Sequence, residues 1–169
     1  NNYTKLRKSI LKSFGLDIDH FQYFYPLIVS NIIQTSVLNN ASDVILDFYL
    51  FQYASGKNKE LRFLESQQEQ LDLFHKIPLS FQVKSLLQLG RQPGKAKKQI
   101  VSLINDYSEK NTRQLYLRSK KQLGKMRHIL LYHRNEKMAD KLALELSDTP
   151  AFVAVGAAHL FGYRGILRL

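Results

Sequence analysis

The sequence predicts an α/β fold, predominantly helical, with a small central sheet whose strands fall near 60–65 and 151–156. Two apolar runs carry the strands. They are Leu61-Arg62-Phe63-Leu64-Glu65 and Phe152-Val153-Ala154-Val155, the second closed by Gly156. Around and between them, apolar residues recur at helical spacing, with glycine, proline and capping residues at the ends. A single domain over 1–169 is expected, long enough to bury a sizeable core.

Tyr3 to Phe14 reads as a basic amphipathic helix, with Leu6, Ile10 and Leu11 inward and Gly15 as its stop. Asp17 or Asp19 can cap the next helix, which Pro26 kinks or divides. Ile28, Ile32 and Ile33 should face inward. Ser42 suits the N-cap of a helix over Asp43–Ser55, with Val44, Ile45, Phe48 and Tyr49 as its apolar face and Gly56 as its end. The strand Glu60–Glu65 runs straight into Ser66-Gln67-Gln68-Glu69. That spacing is a capping box, so a helix starts at once. Leu71 and Phe74 continue it inward, and His75 ends it before Pro78. Another helix runs from Ser80 through Leu89. Gln92-Pro93-Gly94 reads as a loop before an amphipathic helix over Lys95–Glu109, whose stripe is Ile100, Leu103, Ile104 and Tyr107. Asn111 or Thr112 caps a helix that Gly124 breaks. The last long helix covers about Met126–Leu146.

Composition narrows the chemistry. There is no cysteine, which excludes a disulfide framework and thiolate–zinc sites. The net charge of +11 favours contact with nucleic acid, anionic lipid or acidic partners, but the basic residues are spread, read mostly as solvated helix faces and form no pattern for specific nucleic-acid recognition. The most apolar stretch, Phe21 to Leu38, carries Gln22, Pro26, Ser30, Asn31 and Gln34, and reads as a buried helix rather than a membrane span. Signatures of a P-loop, a Gly-x-Ser-x-Gly elbow, a His-Glu-x-x-His helix and a dinucleotide fold are all lacking.

The candidate site follows from the two strand ends. His159 lies where a strand ends in a glycine turn and a helix begins. The positive end of a helix disfavours imidazolium there and keeps a histidine neutral, able to bind a metal or accept a proton. The same residue also reads as a capping or core histidine. Glu65 stands at the other strand end, so a sheet with helical connections would bring it to the same edge. Arg134 interrupts the stripe Leu130, Met138 and Leu142 of the last helix. A buried guanidinium needs a carboxylate or several acceptors, and Glu65 is an attractive partner, unless Arg134 reaches to the surface. Asp47 reads either as a solvated acid or as a buried structural one.

The C-terminal run FVAVGAAHLFGYRGILRL resembles the end of TraB/PrgY/GumN proteins, a family that includes the TIKI metalloproteases. Leu46-Asp47, Leu64-Glu65 with Gln67 and Gln70, and Arg134-Asn135 match in the same order. Phe63 stands where the family has a glycine. The resemblance implies a bacterial, exported or envelope-associated hydrolase that cleaves peptides with a divalent metal, manganese or cobalt. His159 would be a metal ligand and Glu65 a ligand or general base. Arg134 would stabilise oxyanion charge or orient Glu65. Gly156 would allow close backbone approach, with Asp47 and Asn135 in support. A second Gly-x-x-His, on a strand before residue 1, is expected from the family. Without it, weak metal binding and little activity are implied. Two other functions stand beside hydrolysis: sequestering a peptide without cleaving it, and binding an anionic ligand through the positive charge.

Overall fold

The computed structural model describes residues 2–38, 45–146 and 150–169. In chain order the helices are α1 (Asn2–Phe14), α2 (Pro26–Thr35), α3 (Leu46–Gly56), α4 (Gln67–Lys76), α5 (Leu79–Arg91), α6 (Pro93–Ser108), α7 (Thr112–Leu123), α8 (His133–Glu145) and α9 (Ala157–Leu160). They divide into two compact units. One comprises Asn1–Asn40 with Phe74–Glu109, the other Ala41–Leu73 with Lys110–Leu169.

The first unit is built on apolar burial. Leu6 and Ile10 of α1 meet Val29 and Ile33 of α2, with Ile18 between them and Leu86, Leu87 and Leu89 of α5 packed on the outside. Gly90 lets α1 and α5 approach closely, because a Cβ there would lie 2.3 Å from Leu6 Cδ1. Ser9 Oγ donates to the Gly90 carbonyl across the same contact, at 2.6 Å. Asp17 caps a short 3₁₀ turn (Ile18–Phe21), and Pro26 opens α2, so the proline divides the predicted helix. Arg7 binds Asp17 through two hydrogen bonds of 2.7 and 2.6 Å, and the guanidinium holds that carboxyl down to about 2. Three expectations need correction. Leu11 of α1, expected inward, is exposed. Gln92-Pro93-Gly94 is no loop, since Pro93 is the first residue of α6, where its missing N–H costs nothing. Of the expected stripe on α6 Ile100 is buried, joined by Ala96, while Leu103, Ile104 and Tyr107 are exposed.

The second unit has a smaller apolar core, Tyr116, Leu131 and Tyr132, with Leu123 and Ala158 against it. Asn111 caps α7 by accepting from the Gln114 N–H, and Gly124 ends it at a φ of +53°. The expected continuous helix over Met126–Leu146 is interrupted. A 3₁₀ turn (Gly124–Met126) and a π turn (His128–Tyr132) precede α8. Such turns occur often at functional sites. Here the consecutive Leu131 and Tyr132 are both buried, and Asn135 and Met138 follow on the inner side of α8. The proposed cap Ser42, with Asp43 and Val44, lies outside the described residues. The helix they would begin, α3, buries none of its residues.

The predicted sheet is absent. Among the described residues there is no strand, so the chain is all-α rather than α/β. A strand exists only through a ladder with a neighbour. Among the described residues, 60–65 and 151–155 make no backbone hydrogen bond to each other or to any other segment. Side chains of α8 hold the first of them instead. Arg134 pairs with Glu65, Lys137 with Glu69, and Glu145 with Arg62, while Lys141 Nζ donates to the Phe63 carbonyl at 2.5 Å. Positions 134, 137, 141 and 145 form one stripe of a helix. The apolar side chains of these runs are not gathered into a core: Phe63, Phe152 and Val153 are exposed.

Candidate functional site

The site begins where Glu65 leads into α4. Ser66 Oγ accepts from the Glu69 N–H at 3.1 Å, and Glu69 Oε2 accepts from the Ser66 N–H at 2.9 Å. This is the predicted capping box, and it fixes the backbone immediately after Glu65. Glu65 then receives both forks of Arg134, Nε to Oε1 and Nη2 to Oε2, each at 2.7 Å. Arg134 Nη1 donates to the Leu130 carbonyl at 3.1 Å. The arginine that interrupts the apolar stripe is therefore paired rather than drawn out to solvent. Two parallel charge-assisted bonds fix both planes.

His159 sits one turn along α9, its N–H bonded to the Gly156 carbonyl at 2.8 Å. Its Nδ1 lies 2.5 Å from Asn135 Oδ1. Asn135 Nδ2 donates to the carbonyls of Arg164, at 2.5 Å, and His159, at 3.4 Å. With the amide donating on one side, its oxygen accepts on the other, so His159 carries its proton on Nδ1. Nε2 is left as an acceptor with no hydrogen-bond partner among the described residues. Burial pushes the imidazole down to about 4, the Arg134 charge acts the same way, and Glu65 opposes it. His159 is therefore neutral near neutral pH, as expected, but for another reason. The α9 helix has only four residues, and His159 belongs to its end rather than its start.

The four residues Glu65, Arg134, Asn135 and His159 are brought together, with α8 supplying the middle pair. Asp47 is not part of this group: it is exposed in the first turn of α3. Gly156 has a φ of −57°, and a Cβ there would make only ordinary contact with His159. The glycine constraint lies further on. At Gly162, φ is +104° and a Cβ would fall 2.4 Å from the Tyr116 ring; at Gly165 it would fall 2.4 Å from the Leu160 carbonyl. Tyr116 and Tyr132, missed by the sequence reasoning, lie under this turn with their hydroxyls 3.5 Å apart. That hydrogen bond and burial push the Tyr116 hydroxyl up to about 12. The spacing of Gly162 and Gly165 was the available signal.

A divalent ion is implied by the family motif, and the donors can be tested against it. His159 has the features of a ligand, a neutral ring with one nitrogen fixed and the other free. Glu65 has both oxygens engaged by Arg134. No group of three or more His, Asp or Glu side chains comes together among the described residues. One imidazole and one neutralised carboxylate fall short of the three protein ligands that a catalytic ion takes. The residues present do not fit a complete metal site.

No curated protein and no solved structure matches the sequence significantly. A family model does, over residues 2–169, through both units and every residue of the polar cluster. The chain belongs to the TraB/PrgY/gumN family.

Proposed function

We propose that this chain is a hydrolase-type domain acting on peptides, and that Glu65, Arg134, Asn135 and His159 are its polar half-site. The observation that carries this reading is the neutral His159 with Nδ1 fixed by a buried asparagine and Nε2 open beside the Arg134–Glu65 pair. In a peptide hydrolysis, water adds to the carbonyl carbon, the C–N bond breaks, and the departing amine takes a proton. His159 Nε2 would accept a hydrogen bond from the water or substrate N–H. Arg134 would place positive charge near the developing oxyanion, and Glu65 would hold the guanidinium in its plane. A base whose pKa is about 4 is a weak proton acceptor, so turnover by these residues alone would be slow. Manganese or cobalt would find Nε2 as a single donor.

A second reading, peptide capture without cleavage, is favoured by the closed ion pair. Both Glu65 oxygens already have partners and leave no free carboxylate to act as a base. One experiment separates the two. A quenched fluorescent peptide library is incubated with the full chain, with and without manganese, while binding is followed by fluorescence anisotropy. Hydrolysis predicts cleavage that falls at least ten-fold in Glu65→Gln and His159→Ala. Saturable binding with no cleavage in either condition would overturn the hydrolase reading and leave capture.

A further inference from the structure

The helix α3 presents an unusual surface. Apart from Asp47, Gln52 and Ser55, its side chains are apolar, aromatic or small, yet none of its residues is buried. Phe48, Tyr49 and Tyr53 are each more than half exposed. A helix that is apolar around most of its circumference is normally found inside apolar surroundings. Eleven residues span about 16 Å, too short for a bilayer core of about 30 Å, and among the described residues no helix is long and apolar enough to cross one. Immediately after α3 come Lys57 and Lys59, both exposed and in no ion pair among the described residues.

Charge selects the partner. The chain carries +11, so a second copy would be repelled, and the one acid of α3, Asp47, does little to offset that. A nucleic acid would satisfy the cations but leave the apolar helix in water. Stacking of single-stranded bases needs aromatic faces set in a basic groove. Here Tyr49 stacks on Tyr53 and Phe51 on Phe63, and α3 itself has no cation. An anionic bilayer satisfies both features, with aromatic rings in the headgroup region and lysines on lipid phosphates. The same unit adds longer-range attraction: no carboxylate occurs between Glu109 and Glu136, and Arg113, Lys120, Lys121 and Lys125 are exposed. The geometry points to α3 as a peripheral membrane-docking element, lying at the headgroup boundary of an anionic bilayer with Lys57 and Lys59 on its phosphates.

The test is co-sedimentation of the full chain with vesicles of phosphatidylcholine, alone or with about a quarter phosphatidylglycerol. Binding is expected only with the anionic lipid and should weaken as salt rises. Because the substituted residues are exposed, circular dichroism should be unchanged in both variants. The Phe48→Ser/Tyr53→Ser chain should bind at least about ten-fold less. Lys57→Gln/Lys59→Gln should lose about five-fold per charge. Equal binding to both vesicle types, or full binding by the Phe48→Ser/Tyr53→Ser chain, overturns the proposal. So does displacement from vesicles by duplex DNA that is indifferent to the aromatic substitutions, which would assign the cations to nucleic acid. A dimer in lipid-free solution that these substitutions dissolve, with no vesicle binding, would assign α3 to a second copy.

Discussion

The two units are held together by different physics. In the first, α1, α2 and α5 close on a continuous set of aliphatic side chains centred on Ile10 and Ile33, both fully buried. In the second, α8 does much of the work through polar side chains: one stripe binds residues 62–69, and Asn135 binds the turn that carries His159. Apolar burial tolerates small shifts, whereas fork-on-carboxylate and amide-on-carbonyl contacts fix directions. The unit with the poorer core is therefore the one suited to hold functional groups in register. Its unburied apolar residues are the counterpart of that arrangement.

Replacing Ile33 with alanine attacks the first unit where it is strongest, and should cost about 2–5 kcal/mol. Denaturant unfolding checks the size. Hydrogen exchange checks the place: protection should fall across α1, α2 and α5. The matching substitution in the second unit, Phe48→Ala on the exposed face of α3, should stay within about 0.5 kcal/mol in lipid-free solution. A large loss there would mean that α3 is covered by the chain itself.

Acid separates the units by pH. Above pH 6.5 His159 is neutral whether folded or unfolded and contributes nothing to pH dependence. As pH falls from 6.5 to about 4, the unfolded chain takes up a proton that the folded site refuses, so the second unit loses stability. The full linkage corresponds to about 3 kcal/mol, reduced by the partial exposure of the ring. In the first unit, Asp17 has its folded value lowered to about 2, so its contribution is present above the ordinary carboxylate range and is lost only as pH falls towards 2. Exchange measured at pH 7 and pH 5 should show the second unit loosening first. His159→Phe should remove most of that difference.

Asn135→Ala sharpens the comparison within the site. It leaves the Arg164 carbonyl and His159 Nδ1–H without their partner in a buried position, at a cost of about 1–3 kcal/mol. Its nitrogen-15 spectrum should also show His159 losing its fixed Nδ1–H tautomer. An unchanged tautomer would mean that Asn135 packs the turn without orienting the ring.

Much of this was legible in residue order. The helix ends at Gly15 and Gly124, the division at Pro26 and the capping box at Ser66–Glu69 are local chemistry, and local chemistry is written in adjacent residues. The Glu65–Arg134 pair was also readable, because a guanidinium in an apolar stripe needs a carboxylate or several acceptors. The sheet was not. Leu61–Glu65 and Phe152–Val155 have strand composition, but pairing depends on what stands beside them, and here α8 stands beside the first. A Gly-x-x-His spacing gives no φ, and the positive φ falls at Gly162, under which Tyr116 lies.

The α8 stripe itself holds a finer contrast, between two ion pairs. Arg62–Glu145 and Arg134–Glu65 are both arginine–carboxylate pairs along it, yet they differ in setting. Arg62 is mostly exposed and shared with Glu60, so water and a second carboxylate already compete for it. Arg134 and Glu65 are largely covered and bonded through both forks. Removing one partner of a covered pair leaves a charge without hydration, whereas removing one partner of an exposed pair returns the other to solvent. Arg62→Gln should therefore cost no more than about 1 kcal/mol, with a salt-dependent remainder. Glu65→Gln should cost more, and the excess should persist at high salt. Equal, salt-sensitive losses would mean that α8 holds the segment 60–65 by general charge attraction. In that case the Arg134 fork would have no special part in positioning the site.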